Sequence, residues 1–86
     1  MPEISRFLGI VISIFHREHG RPHFHAAYGE FEVVVDIENG EVLSGRLPKR
    51  ALSLVIEWHA EHGGELQENW ERARQHKTLK QIAPLE

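Results

Sequence analysis

The segment from Arg21 to Ala26 carries two histidines two positions apart, and this spacing is the chain's first indication of chemistry. In a β-strand, residues at positions i and i+2 project to the same face, so His23 and His25 share one side of a predicted strand. A two-residue hairpin turn at Gly29-Glu30 would place Asp36 directly opposite His23 in the next strand. The sequence therefore predicts a sheet face on which two imidazoles meet a carboxylate.

These side chains support two kinds of chemistry. As catalytic residues, His23, His25 and Asp36 could transfer protons, with the carboxylate orienting an imidazole for cleavage of a phosphodiester. As metal ligands, the same three suit zinc or another divalent first-row ion, with His16 or His19 from the preceding loop completing the set. The alternative is structural, because histidines on a sheet face commonly bond a neighbour or water. No standard motif decides among these, so enzymatic activity stays open.

A second candidate site lies where a helix is predicted to begin. Lys49 and Arg50 follow Pro48, a residue that suits the first helical turn. Cations at this end oppose the helix dipole, but the unpaired N–H groups there attract anions. Lys49 and Arg50 are therefore predicted to hold a phosphate, with RNA as one source. The alternative is that both are solvated, or that Arg50 pairs with an acid such as Glu57 or Asp36.

Strands, turns and helices must position these residues. Runs rich in β-branched and aromatic residues, bounded by turn signals, predict strands at Leu8–Phe15, His23–Tyr28, Phe31–Ile37 and about Glu41–Gly45. Helical spacing predicts one helix from Pro48 that stops at Gly63-Gly64, and a second from about Glu65 to His76. Apolar stripes on these helices should face the sheet; their members are Ala51, Leu52, Val55, Trp58, Leu66, Trp70 and Ala73.

The expected fold is α+β, with a small antiparallel sheet of three to four strands followed by two α-helices packed on it. Residues 1–86 should form a single domain. The hairpin register puts one set of side chains in the core, namely Phe24, Ala26, Tyr28, Phe31, Val33 and Val35. A slip of one residue would instead send the histidines into the core.

Composition excludes several classes of function. Hydrophobic residues make up 41% of the chain and charged residues 27%, as in ordinary globular proteins rather than disordered ones. The absence of cysteine rules out disulfides and thiolate chemistry and favours a cytoplasmic location. The N-terminus lacks a signal-peptide pattern, and no apolar run is long enough for a bilayer, so no membrane association is expected. A net charge of −3 provides no overall basic field for nucleic acid.

Several short motifs, taken in order, resemble the bacterial family of domain of unknown function 4160. The motifs span nearly the whole chain: Met1–Phe7, Gly9–Ile12, Pro22–Ala26, Tyr28–Glu30, Asp36-Ile37, Gly40–Leu43, Leu47–Ala51, Glu57-Trp58 and Glu68–Trp70. Genes of this family are often paired with a second small domain of unknown function, an arrangement similar to toxin–antitoxin modules. The resemblance thus implies a small protein partner encoded by the adjacent gene, and an RNA-directed or regulatory role.

The leading hypothesis is a partner-binding component of a two-gene, toxin–antitoxin-like module that also acts on RNA. Self-association is a further expectation, because strand edges in small domains favour pairing. Two alternatives remain open from the sequence. One is a domain that binds a divalent metal through His23, His25, Asp36 and His16. The other is a structural interaction domain with no chemistry.

Overall fold

A computed structural model describes residues 2–16 and 19–85. Its elements are β1 (Glu3–Phe7), β2 (Ile10–Ser13), β3 (His23–Tyr28), β4 (Phe31–Asp36), β5 (Val42–Arg46) and α1 (Lys49–Arg74). The α+β class and the antiparallel sheet are confirmed. The prediction of three to four strands and two helices was wrong, because five strands are followed by one long helix.

The five strands form one sheet in the order β1-β2-β3-β4-β5, and each strand is antiparallel to its neighbour. The register of β3 and β4 is the predicted one: Tyr28 faces Phe31, and His23 faces Asp36. This register follows from the two-residue turn, whose Gly29 adopts a positive φ of 59°. The resulting meander places the β1–β2 and β3–β4 turns at one end of the sheet, with the start of α1.

The predicted first strand, Leu8–Phe15, begins with a turn in the structure, and its strand starts only at Ile10. Leu8 and Gly9 both have positive φ, 51° and 84°, and they connect β1 to β2. The sequence Glu3–Phe7, which no pattern had predicted as a strand, thereby becomes an edge strand paired with β2. A positive φ is costly for leucine, so Gly9 was the one turn signal at this position, and within an apolar run it was not sufficient to predict a turn.

The predicted stop at Gly63-Gly64 was also wrong, because the helix runs through both glycines. Only His62 departs from helical geometry, with φ of −127° and ψ of 23°, and the helix is kinked there. The two predicted helices are therefore the two halves of α1. Their apolar stripes are confirmed: Ala51, Val55, Trp58, Leu66, Trp70 and Ala73 are buried, and Leu52 is partly buried against the core.

One face of the sheet and α1 enclose the core. The Trp58 ring lies 5.6 Å from that of Phe7 and 5.9 Å from that of Phe24, measured between centroids. The segment after α1 closes the core from the side of β1. Ile82 and Leu85 are buried, the Ile82 N–H donates to the carbonyl of Ile4, and the Trp58 indole N–H donates to that of Ala83. No helix in the described part of the chain is long and apolar enough to cross a membrane.

Candidate functional site

Asp36 lies at the end of β4, and its carboxylate is committed to local structure. The side chain is only 2% exposed. One oxygen, Oδ1, accepts the backbone N–H groups of Glu38 and Asn39 at 2.7 and 3.2 Å. The other, Oδ2, accepts a hydrogen bond from the Arg21 guanidinium at 3.1 Å. The carboxylate therefore fixes the turn after β4 and joins it to the loop before β3.

His23 lies opposite Asp36 in the sheet, but its ring is oriented by a different group. Its Nδ1 is 2.8 Å from the backbone carbonyl of Arg21, and the ring packs 5.0 Å from that of Trp70. Because a carbonyl can only accept, Nδ1 carries the proton in this contact. The described contacts thus assign the orienting role to Arg21, where the sequence had predicted Asp36. His23 is buried at this position, where Trp70 of α1 covers this end of the sheet.

His25 faces the side of the sheet that α1 leaves uncovered. Its Nδ1 donates to the Glu32 carboxylate at 3.0 Å, and its ring meets the Phe15 ring edge-on at 4.6 Å. A shallow groove runs beside it across the strands, with Val11 and Ala27 among its lining residues. His25 and Glu32 therefore share the predicted face, as an ion pair whenever the imidazole is protonated.

A second ion pair borders the same groove on β1. The Arg6 guanidinium donates to both oxygens of Glu3, at 2.9 and 3.0 Å. These hydrogen bonds hold the pKa of the Glu3 carboxyl below its ordinary value. The groove is thus bordered on β1 by an Arg6–Glu3 ion pair and on β3 and β4 by the hydrogen-bonded His25 and Glu32.

His16, the proposed fourth metal ligand, lies against the segment that follows α1. Its Nε2 is 3.2 Å from the Lys77 carbonyl, and its ring stacks on His76 with centroids 6.5 Å apart. Among the described residues, no group of three or more His, Asp or Glu side chains is placed so that it could hold a metal ion. His19, the other loop histidine considered, is exposed.

Lys49 and Arg50 begin α1, as the sequence predicted, and both are exposed. The N-cap residue is Pro48, which offers no side-chain hydrogen bond, and the first turn contains no acidic residue. Within the described ranges neither cation forms an ion pair, so the alternative in which Arg50 pairs with Glu57 or Asp36 is not observed there. The two cations are therefore exposed at a helix start that has no side-chain cap.

The sequence analysis missed His59, which connects α1 to the turn after β4. Its Nε2 donates to the Ile37 carbonyl at 2.6 Å, and its ring stacks on that of Phe24 with centroids 6.1 Å apart. Gly40 lies directly beside the ring, where a Cβ would come within 3.2 Å of Nδ1. His59 lies four positions after Val55 and therefore on the same face of the helix, which was the available signal.

Comparison with known protein families assigns the chain to a family. A protein-family model described as a domain of unknown function, DUF4160, matches residues 9–71. The chain belongs to the DUF4160 family. Searches of curated proteins and of solved structures returned no match. The DUF4160 match includes the hairpin of His23 and Asp36 and the first turn of α1, but ends before the segment that covers β1.

Proposed function

We propose that this DUF4160 protein is a partner-binding component of a two-gene, toxin–antitoxin-like module. The observation that supports the proposal is the exposed edge of β5, the last strand of the sheet. All five of its residues are exposed, including Val42 at 43% and Leu43 at 38%. Its outer edge is lined by no other strand within the described residues. An exposed strand edge with apolar side chains is a template for an added strand.

The two edges of the sheet differ, and the difference favours β5 as the binding edge. At β1, the segment after α1 lies along the strand, with the Ile82 N–H bonded to the Ile4 carbonyl and the Gln81 side chain bonded to the Glu3 carbonyl. The chain therefore covers one edge with its own residues. A partner strand at β5 would give that edge the cover which β1 already has.

The chemical alternatives have less support. Asp36 is occupied by Arg21 and two turn amides, and His23 is oriented by a backbone carbonyl. A catalytic role for His23, His25 and Asp36, or a metal site formed by them with His16, would require these contacts to be exchanged. RNA binding at Lys49 and Arg50 remains part of the proposal as a secondary activity, because their charges are not neutralised within the described structure.

Co-purification with the product of the adjacent gene tests the proposal. The wild-type chain should purify as a complex with it. Val42→Lys with Leu43→Lys should abolish the complex, because lysines on an edge strand oppose strand addition. Ile56→Lys, which alters a comparably exposed apolar residue on α1, is the matched control and should retain it.

Two outcomes would contradict the proposal. One is a wild-type chain that never forms a complex with that product. The other is a complex that survives the double substitution in β5. If the wild-type chain forms homodimers that the β5 substitutions dissociate, the edge pairs with a second copy, and the adjacent gene product is not its partner.

A further inference from the structure

A groove of about 280 Å³ lies at the end of the sheet that carries the β1–β2 turn. It is called here the turn-end groove. Its apolar lining comes from Leu8, Ile10, Ala51 and Leu54, and the side chains of Tyr28 and Arg50 complete it. The turn-end groove therefore joins the start of α1 to the β1–β2 and β3–β4 turns, well away from His23 and Asp36.

Leu8 is unusual in two respects at once. Its side chain is 64% exposed, and its φ of 51° lies in the left-handed region, which disfavours leucine. Asparagine or glycine would form this turn with less strain and without exposing an apolar side chain. Most of the Leu8 surface is therefore open to an apolar ligand in the groove.

Tyr28 forms the opposite wall. Its ring lies over Gly9, where a Cβ would come within 3.1 Å of the ring, and it is 38% exposed. The hairpin register predicts Tyr28 as a core residue. It lies instead on the core face but beyond the end of the covering helix, so the groove continues the core to the surface.

The charged residue that lines the turn-end groove is a cation, Arg50, and two further cations lie near this end of the sheet. Lys49 and Arg50 are exposed at the start of α1, and Arg46 ends β5 with its guanidinium 5.6 Å from the Phe31 ring centroid. None of the three forms an ion pair among the described residues. The first-turn N–H groups of α1 have no side-chain cap, and Ala51 from that turn lines the groove.

We propose that the turn-end groove binds an acidic, apolar segment of a protein partner. One large apolar side chain of the segment packs against Leu8, Tyr28 and Leu54. A neighbouring carboxylate is held by Arg50 and by the free N–H groups of the first turn. This inference shares one element with the proposed function, namely that the ligand is a protein. The turn-end groove and the outer edge of β5 are separate surfaces.

Synthetic peptides test this without the natural partner. The probes are a short peptide of alternating Glu and Leu, one of Lys and Leu, one of Glu and Ser, and a short poly-U RNA. Each is titrated into the full-length ¹⁵N-labelled protein while amide shifts are recorded. The Glu–Leu peptide should shift amides at Leu8 to Ile10, Tyr28 and Ala51 saturably. The Lys–Leu and Glu–Ser peptides should not, and poly-U RNA should shift only amides next to Lys49 and Arg50, without the Leu8 and Tyr28 amides.

Three variants sharpen the result. Leu8→Asn should weaken binding of the Glu–Leu peptide about tenfold through lost apolar contact, while the left-handed turn is at least as stable. Arg50→Glu should weaken it by a similar factor. Lys77→Glu makes the same charge change at an exposed lysine beyond α1, and should leave the affinity unchanged.

Absence of saturable shifts at the groove, or equal binding of the Glu–Ser peptide, would overturn the inference. If Lys77→Glu weakened binding of the Glu–Leu peptide as much as Arg50→Glu does, the effect would be one of net charge alone, and the inference would also be overturned. Shifts at the same amides with poly-U RNA alone would assign the groove to nucleic acid. The β5 proposal is tested by co-purification and the groove proposal by peptide titration. If the Glu–Leu peptide does not bind, the co-purification result is unaffected, so each proposal can be contradicted without the other.

Discussion

Asp36 is a buried carboxylate whose partners are mostly backbone amides, and this determines how its substitution should behave. We predict that Asp36→Ala lowers the free energy of unfolding by about 2–3 kcal/mol, because the N–H groups of Glu38 and Asn39 lose a charged acceptor. Asp36→Asn keeps an oxygen for these amides and should cost about 1 kcal/mol. Urea denaturation of the purified variants measures both.

Arg21→Ala is the matched control for the ion pair. Arg21 is largely exposed, at 59% of its side chain, so its contribution should be under about 1 kcal/mol. A loss as large as that of Asp36→Ala would mean that the ion pair, and not the turn, explains the burial of this carboxylate. The same set of variants separates a structural Asp36 from a catalytic one, since only the former predicts this ranking of stabilities.

At the level of the strands, two glycines with similar backbone angles should respond very differently to alanine. Gly29 and Gly45 have φ of 59° and 77°, but only at Gly45 would a Cβ collide with the backbone carbonyl of Glu32. Gly29→Ala should therefore cost about 1 kcal/mol for the left-handed conformation alone. Gly45→Ala should cost at least about 3 kcal/mol, because β5 must also move away from β4.

Thermal unfolding of the two variants compares them directly. Equal losses would show that the contact between β4 and β5 relaxes freely. The larger loss at Gly45 would also make this glycine a tool for loosening β5 without altering its exposed side chains, which is useful for testing strand addition at that edge.

In the kinked helix α1, unlike in the strands, replacing a glycine by alanine should raise the stability. Gly64 lies in α1 with nothing within 4 Å of a Cβ, so Gly64→Ala should raise the stability by about 0.5–1 kcal/mol. Ala60→Gly, the reverse change at an exposed position of the same helix, should lower it by a similar amount. A lower melting temperature for Gly64→Ala would instead show that the kink at His62 depends on glycine.

The elements differ in how far the sequence could predict them. The β3–β4 register was predictable, because the Gly29-Glu30 turn and the alternation of side chains both specify it. The continuity of α1 was not, since Gly63-Gly64 is a stop signal in isolation and only packing of Leu66 and Trp70 on the core overrides it. The Leu8 turn was missed for the converse reason, because leucine carries no turn signal.

The candidate site was also predictable only in part. Pairing of His23 with Asp36 followed from the register and is confirmed as a position in the sheet. Which atoms they bond could not be predicted, because Arg21 and the turn after β4 are brought to them only by the folded chain. Exposure of Tyr28 likewise depends on where α1 begins above the sheet, which no local pattern specifies.

Across the whole molecule, the segment after α1 completes the core although it lies beyond the residues that match the family. We predict that Ile82→Ala lowers the free energy of unfolding by about 2–4 kcal/mol, because a buried side chain is lost between this segment and β1. Pro84→Ala, at an exposed neighbouring position, should change it by less than about 0.5 kcal/mol. Urea denaturation would contradict the assignment if the two variants were equally stable.

Glu68 connects the same segment to α1, and its titration reports on that connection. Its carboxylate contacts the Lys80 ammonium at 2.8 Å and the Arg72 guanidinium at 3.2 Å. Hydrogen bonding to Lys80 first, and then to Arg72, holds the pKa of Glu68 below its ordinary value. The folded state therefore binds this proton less readily than the unfolded chain, so the contact stabilises the fold above the ordinary pKa of a glutamate, about 4.3.

That stabilisation should be lost as the pH falls through the lowered pKa of Glu68. NMR titration of the carboxyl carbon measures this pKa directly. We predict that Lys80→Gln raises it toward the ordinary value, and that Arg72→Gln raises it less, because Lys80 makes the stronger contact. An unchanged pKa in Lys80→Gln would show that the segment is not held to α1 through this pair. Its other contacts with α1 would then hold it, namely the Trp58–Ala83 hydrogen bond and the two hydrogen bonds, each 2.8 Å, between the Asn69 amide and the Lys80 backbone.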